Sequence, residues 1–254
     1  MITLDADGLG ILFQHNATQV RPPASLTKLM TAYVAYAAVA AGSCRWDDRV
    51  QVDAADVDAV ADDETRMGLA AGQQVPLQTL LEGMMVISGN DAALVLARHI
   101  AGSQHAFLQR MNDCAARMAL HGTRFASVSG NTTPGHASTA HDMAVLGARL
   151  VVDFPHSLQV TAQRTFSFGT LHLQNKNGLL GEPGVDGLKT GYTQAAGHCL
   201  AATACRPVPG RSAPVRLITV VLGTASREQR HALALQYLEQ GFATITAQAA
   251  ASVA

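Results

Sequence analysis

An α+β fold is predicted, with an antiparallel sheet drawn from both ends of the chain, flanking helices, and a helical lobe. Three observations predict it. Short alternating or continuously apolar runs open the chain and dominate its C-terminal third. Between them, apolar positions recur at helical period. Glycines punctuate that middle region at Gly42, Gly102 and Gly122, where helices are expected to close. Strands at both ends around a helical middle imply a sheet that joins the two ends. The expected organisation is one domain, 1–254, with a sheet lobe of about 1–24 and 153–254 and a helical lobe of about 25–152.

In chain order, residues 2–4 and 10–14 alternate around Asp5-Ala-Asp-Gly8, a hairpin signal. Pro22-Pro23 favours an extended approach followed by a helix start. Helices are expected at about 25–41, 76–87, 91–101, 105–120 and 139–152. In the first, Leu26, Leu29, Met30, Tyr33, Val34 and Ala37 recur at helical spacing, and Leu29 to Cys44 carries no charge. Such a helix belongs in a core. It is shorter than the about 20 apolar residues a bilayer span needs, and Thr31, Tyr33, Tyr36, Gly42 and Ser43 interrupt it. Strands return at 164–173, 185–193, 196–204 and 215–223, and Ser226-x-x-Gln229 is a capping-box signal for a last helix ending near Gly241.

Composition narrows the function. With 254 residues, 48% hydrophobic and 15% charged, the chain can bury a substantial core. A net charge of −1 gives no electrostatic case for nucleic acid or an anionic membrane. Cys44, Cys114, Cys199 and Cys205 show no metal-like spacing; Cys199 and Cys205 are close enough to raise a bridge, but buried free thiols are expected. The ten histidines are scattered and include no His-Glu-x-x-His, so zinc hydrolysis has no support; no metal site and no cofactor are expected.

Three short motifs carry chemistry. Ser25-Leu-Thr-Lys28 places a hydroxyl and an amine three residues apart, on one face of a helix. Serine is a poor nucleophile without an adjacent base, and burial disfavours a lysine's charged form, moving Lys28 toward that role. Ser88-Gly-Asn90 joins two apolar helical segments; Gly89 permits a sharp turn from which Ser88 can relay a proton and Asn90 can hold a carbonyl or the lysine. Lys189-Thr-Gly191 lies in a strand. Lys189 supplies positive charge, Thr190 a hydroxyl, and Gly191 close backbone approach, while the Tyr192 N–H can aim at an oxyanion. Each motif alone is commoner as ordinary structure: a chance Ser-x-x-Lys, a turn, a solvated lysine. Their order and wide separation set this chain apart.

These motifs resemble those of the low-molecular-mass penicillin-binding proteins that are serine-type D-alanyl-D-alanine carboxypeptidases, a set also known from class A β-lactamases. The likeness extends to Pro23-Ala-Ser-Leu-Thr-Lys-Leu-Met-Thr31, Ser88-Gly-Asn-Asp-Ala92, Ser138-Thr-Ala-His-Asp-Met143, Asn177-Gly-Leu-Leu180, Val185-Asp-Gly-Leu-Lys-Thr-Gly191 and Leu217-Ile-Thr-Val-Val-Leu-Gly223. It implies a β-lactamase/transpeptidase-like fold with the site at the lobe boundary. It also implies that Ser25 is acylated by the penultimate D-Ala carbonyl of a peptidoglycan stem peptide, with Lys28 accepting its proton. Ser88 would protonate the departing D-Ala and Asn90 would position substrate. Lys189 and Thr190 would lie near the terminal carboxylate, and the N–H groups of Ser25 and Tyr192 would form the oxyanion pocket. Lys176, before Asn-Gly-Leu-Leu, and Arg227, after Val-Val-Leu-Gly, are further substrate-binding candidates.

By the same resemblance, β-lactam antibiotics are covalent inhibitors and the location is periplasmic or otherwise extracytoplasmic. Ser127-Val-Ser-Gly-Asn-Thr-Thr-Pro-Gly-His136 departs from the relatives' Gly-Leu pattern. The family's signal peptide, C-terminal β domain and membrane anchor are not recognised in Met1-Ile-Thr-Leu4 or in Ala247 to Ala254. The competing readings are a D,D-endopeptidase acting on cross-links, a β-lactamase, and a penicillin-binding sensor. A β-lactamase of class A assigns deacylation to a glutamate. The nearest candidate stretch, Asp62-Asp-Glu-Thr65, lies before Ser88 in the wrong context.

Overall fold

The computed structural model describes residues 1–251. The last three residues of the C-terminal alanine-rich tract, 252–254, lie outside the described residues. Five strands form one antiparallel sheet: β1 (Ile2–Asp5), β2 (Ile11–Gln14), and, after two short separate strand pairs, β7 (Val185–Thr193), β8 (Gly197–Arg206) and β9 (Val215–Thr224). The order is β2-β1-β9-β8-β7, so the N-terminal hairpin joins the sheet through β1–β9 and β7 forms its far edge. Both ends of the chain build one sheet, as the sequence predicts.

Both sheet faces are covered, which explains the continuous apolar runs of β8 and β9. On one face Leu200, Ala202, Ala204, Leu217 and Val221 pack against a stripe of the last helix, α8 (Arg227–Ala251), formed by Ala234, Leu238, Phe242 and Ile245. On the other, Cys199, Ala201, Ile218 and Val220 join a core shared with α1 (Lys28–Ala40), α3 (Leu77–Val86), α4 (Asn90–Ala101), α5 (Gln104–Arg117) and α6 (Ala140–Asp153). Alternate side chains of each strand therefore serve different helical layers. No helix among the described residues is long and apolar enough to cross a membrane.

Several elements differ from the sequence reading. The stretch 164–173 is a hairpin, β5 (Thr165–Phe168) and β6 (Leu171–Gln174), because Gly169 at φ 57° turns the chain back. Helix α8 runs through Gly241, where the missing Cβ serves packing: a methyl there would sit 2.8 Å from Leu217 Cδ1 and 3.1 Å from Thr3 Cγ2. The N-terminus of α8 is capped as expected, Ser226 Oγ accepting the Gln229 N–H at 3.1 Å. A three-residue pair, β3 (Arg49–Gln51) with β4 (Gln74–Pro76), and two five-residue helices, α2 (Ala54–Asp58) and α7 (Ser157–Thr161), are too short to leave a periodic signal. All four cysteines are free thiols, and Cys205 is only partly buried.

Candidate active site

Ser25 lies in a 3₁₀ turn, Ala24–Thr27, and not within the α-helix that the spacing predicts; the α-helix begins at Lys28. The turn starts from Ala24 at φ 49°, after Pro22-Pro23. Thr27 Oγ1 closes it by donating to Ala24 O at 2.8 Å and accepts from His136 Nε2 at 2.8 Å. His136 Nδ1 accepts the Ala126 N–H at 3.1 Å, so the proton resides on Nε2. Burial holds this imidazole neutral, its pKa lowered to about 4. The loop that departs from the relatives' pattern is thereby tied to the turn bearing the nucleophile.

Lys28 is fully buried, and its amine meets three oxygens. Nζ donates to Asn90 Oδ1 at 2.7 Å and to Ser129 O at 2.5 Å, and lies 3.1 Å from Ser25 Oγ. Burial is the main reason its pKa falls to about 7; the Lys176 charge adds to this, and Glu64 and Asp91 oppose it. The two carbonyl oxygens only accept, so a neutral Lys28 spends both N–H groups on them and turns its lone pair to the Ser25 hydroxyl. This is the geometry of a serine with its own general base.

Ser88 and Asn90 come from the connection between α3 and α4, as expected, but the turn is made differently. Ser88 itself takes the left-handed conformation at φ 72°, whereas Gly89 has φ −58°. Gly89 is needed for close packing: a Cβ there would lie 3.0 Å from Met67 Cβ and 3.2 Å from Met67 N. Asp91 pins the same segment by accepting the N–H groups of Met67, Gly68 and Leu69 at 2.7, 2.9 and 3.1 Å. That loop delivers Glu64 and Thr65 to the site.

Strand β7 supplies the third side. Gly191 approaches the nucleophile turn so closely that a Cβ would stand 3.0 Å from Ser25 N. Lys189 is buried and donates to Thr190 O at 3.1 Å. Burial first, then the Lys28, Lys176 and Arg230 charges, holds its pKa well below the usual lysine range. Asn177 ties its segment to this strand by donating to Gly187 O at 3.0 Å, and neighbouring Lys176 donates to Thr65 Oγ1 at 2.8 Å.

These groups line one cleft of about 660 Å³, which also holds Thr190, Tyr192 and Arg227. A larger pocket of about 730 Å³ beside Trp46 contains none of them. Every site residue expected from the sequence is thus brought to the one cleft or, for Lys28 and Lys189, buried beside it. Sequence reasoning missed three contributors, Ser129 through its carbonyl, Asn131 and Arg230, and set aside a fourth, Glu64, weighing its stretch only for a deacylating glutamate. Arg230 is buried, with Nε unpaired, and its pKa is lowered to about 10, chiefly by burial. A hydroxyl beside a lysine amine whose charged form is disfavoured, with further basic side chains lining the cleft, suits acyl transfer from an acid-bearing substrate to the serine.

Comparison with known proteins agrees. The D-alanyl-D-alanine carboxypeptidase family model matches residues 1–226. D-alanyl-D-alanine carboxypeptidase DacA of Haemophilus influenzae is 35% identical over 95% of this chain and 61% of that protein. The crystal structure of penicillin binding protein 5 from Haemophilus influenzae superposes with a TM-score of 0.89 at 34% identity, covering 95% of this chain and 70% of that one. A Listeria monocytogenes penicillin-binding protein in its ampicillin-bound form gives 0.82 at 30% identity, covering 95% of each chain. The chain spans about three fifths of the length of the curated relatives it matches, 61% and 60% for the first two. The chain belongs to the D-alanyl-D-alanine carboxypeptidase family.

Proposed function

We propose that the chain is the catalytic unit, in two lobes, of a serine D,D-carboxypeptidase that removes the terminal D-Ala from peptidoglycan stem pentapeptides. The observation that carries this reading is the buried Lys28 amine, 3.1 Å from Ser25 Oγ and anchored by Asn90 and Ser129. Ser25 Oγ attacks the penultimate D-Ala carbonyl while Lys28 Nζ takes its proton. The oxyanion settles against the N–H groups of Ser25 and Tyr192. As the amide C–N bond breaks, the leaving D-Ala nitrogen receives a proton through Ser88, and water then hydrolyses the Ser25 ester.

Strand β7 is the sheet edge, a natural backbone template for an extended peptide. Thr190, Lys176, Arg227 and Arg230 line the cleft with Lys189 buried beside them, and together they offer hydrogen bonds and, from the arginines above all, positive charge to the terminal carboxylate. A β-lactam enters the same path: Ser25 opens the ring and remains esterified, in keeping with the ampicillin-bound Listeria relative. The work belongs to the periplasm or another extracytoplasmic space, where the cell-wall substrate and its role in cell shape lie.

The expected result is release of free D-Ala from a diacyl-D-Ala-D-Ala peptide, abolished in Ser25→Ala. Lys28→Ala should slow it by about a hundredfold to ten-thousandfold, the usual worth of a general base. Penicillin should leave a lasting adduct on Ser25. Rapid penicillin turnover would point to a β-lactamase instead, a permanent adduct without peptide turnover to a sensor, and preference for a cross-linked dimer to an endopeptidase.

A further inference from the structure

Glu64, from the stretch before the second motif, forms a closed ring with two amides. Its Oε2 accepts an Asn90 Nδ2–H at 2.6 Å, and its Oε1 accepts an Asn131 Nδ2–H at 2.7 Å. Asn131 Oδ1 accepts the second Asn90 N–H at 3.1 Å. Asn90 Oδ1 is left facing Lys28 Nζ at 2.7 Å.

A carboxylate only accepts, whereas an amide has one donating end and one accepting end. The ring therefore fixes which end of Asn90 meets the lysine. Turned over, Asn90 would set a carbonyl oxygen against the Glu64 carboxylate and an N–H against the lysine's own hydrogens. That orientation matters for catalysis. Neutral Lys28 needs two pure acceptors, Asn90 Oδ1 and Ser129 O, to leave its lone pair for Ser25.

We propose that Glu64 is a positioning residue of the acylation step, locking Asn90 with Oδ1 on Lys28, and that Asn131 is the ring member displaced by a ligand carbonyl. The inference rests on the acyl-transfer reading of this same site. Both Asn90 donors are occupied, so an incoming carbonyl gains one only by replacing an acceptor. Charge-assisted bonds are shorter and stronger than neutral ones. The 2.6 Å bond to Glu64 therefore persists, and the 3.1 Å bond to neutral Asn131 is surrendered. The groups around Lys28 divide by sign: Lys176 disfavours its ammonium, Glu64 and Asp91 favour it, and the Lys28 charge in turn disfavours the ammonium of buried Lys189.

The test is the rate of Ser25 acylation by penicillin, measured by mass spectrometry across the neutral pH range at several penicillin concentrations. Glu64→Gln removes the charge and introduces a donor that permits Asn90 to turn. Its plateau rate should fall about tenfold, the scale of one charge-assisted hydrogen bond. Its acid limb should move to lower pH, because the Lys28 ammonium loses a favourable neighbour. Glu64→Asp keeps an acceptor-only carboxylate and should return the limb toward the wild-type position. Asn131→Ala should leave the limb in place and lower the half-saturating penicillin concentration about fivefold, one neutral hydrogen bond's worth.

A Glu64→Gln enzyme with an unmoved limb overturns the proposal, as does an Asn131→Ala enzyme that needs more penicillin. Should Glu64→Gln fail to fold, Glu64→Asp with a slowed, displaced profile or Asn131→Ala with weakened binding would still overturn it. A wild-type chain that takes no penicillin on Ser25 would instead sink the acyl-transfer reading. Normal wild-type acylation with an indifferent Glu64→Gln sinks this inference alone.

Discussion

At the scale of single residues, Lys28 and Arg230 show how differently two buried basic side chains reveal themselves. Lys28 stands three residues after Ser25 at the head of an uncharged helix, so its partner and its desolvation were both legible in the sequence. Ser88, Asn90, Lys189, Thr190 and Gly191 were legible for a similar reason, each belonging to a short motif. Ser129 contributes a backbone carbonyl, which leaves no side-chain signature. Glu64 owes its place to Asp91, whose bonds to Met67, Gly68 and Leu69 hold the loop across the cleft. Arg230 had a signal that went unread: it falls on the α8 stripe with Ala234, Leu238 and Phe242, at helical spacing. Arg230→Ala should raise the KM for a D-Ala-D-Ala peptide about tenfold or more, with a smaller change in kcat, as loss of one hydrogen bond to a charged group requires. An unchanged KM in steady-state assays would show that the guanidinium does not reach the carboxylate.

Among elements, the 127–131 loop decides whether Lys28 meets its second carbonyl. Ser127 Oγ accepts the N–H groups of Gly130 and Asn131 at 2.9 and 3.1 Å, curling the loop so that Ser129 O points at Nζ. Gly130 has φ 95°, and a Cβ there would collide with Ala24 O and lie 2.9 Å from Ser25 N. Gly130→Ala should therefore cost at least about 1–3 kcal/mol in backbone strain. In a chain of this size that lowers Tm by about 2–4 °C per kcal/mol. Acylation should slow in step, because the loop must lift off the nucleophile turn. Calorimetry showing an unaltered Tm would contradict the packing. The same physics separates what was readable in other elements. Long periodic helices and twice-buried strands were visible, whereas Gly169 making a turn and Gly241 fitting a sheet differ only in tertiary surroundings.

For the whole molecule, the fold brings remote groups together by making β7 the sheet edge and setting the Ser25 turn against it. The chain carries a net charge of −1, yet Lys28, Lys176, Lys189, Arg227 and Arg230 gather in or beside one cleft. Composition reported the average and could not report that convergence. The central claim is that a neutral, buried lysine activates Ser25. Its most direct test is the pH dependence of the acylation rate of Ser25 by penicillin. Lys28 has its pKa lowered to about 7, so its base form is present above that pH and lost as pH falls through it. The account predicts an adduct on the Ser25 peptide forming at a rate that is flat above about pH 7 and falls about tenfold for each pH unit below. A rate indifferent to pH across that window, or an adduct on any other residue, would contradict it.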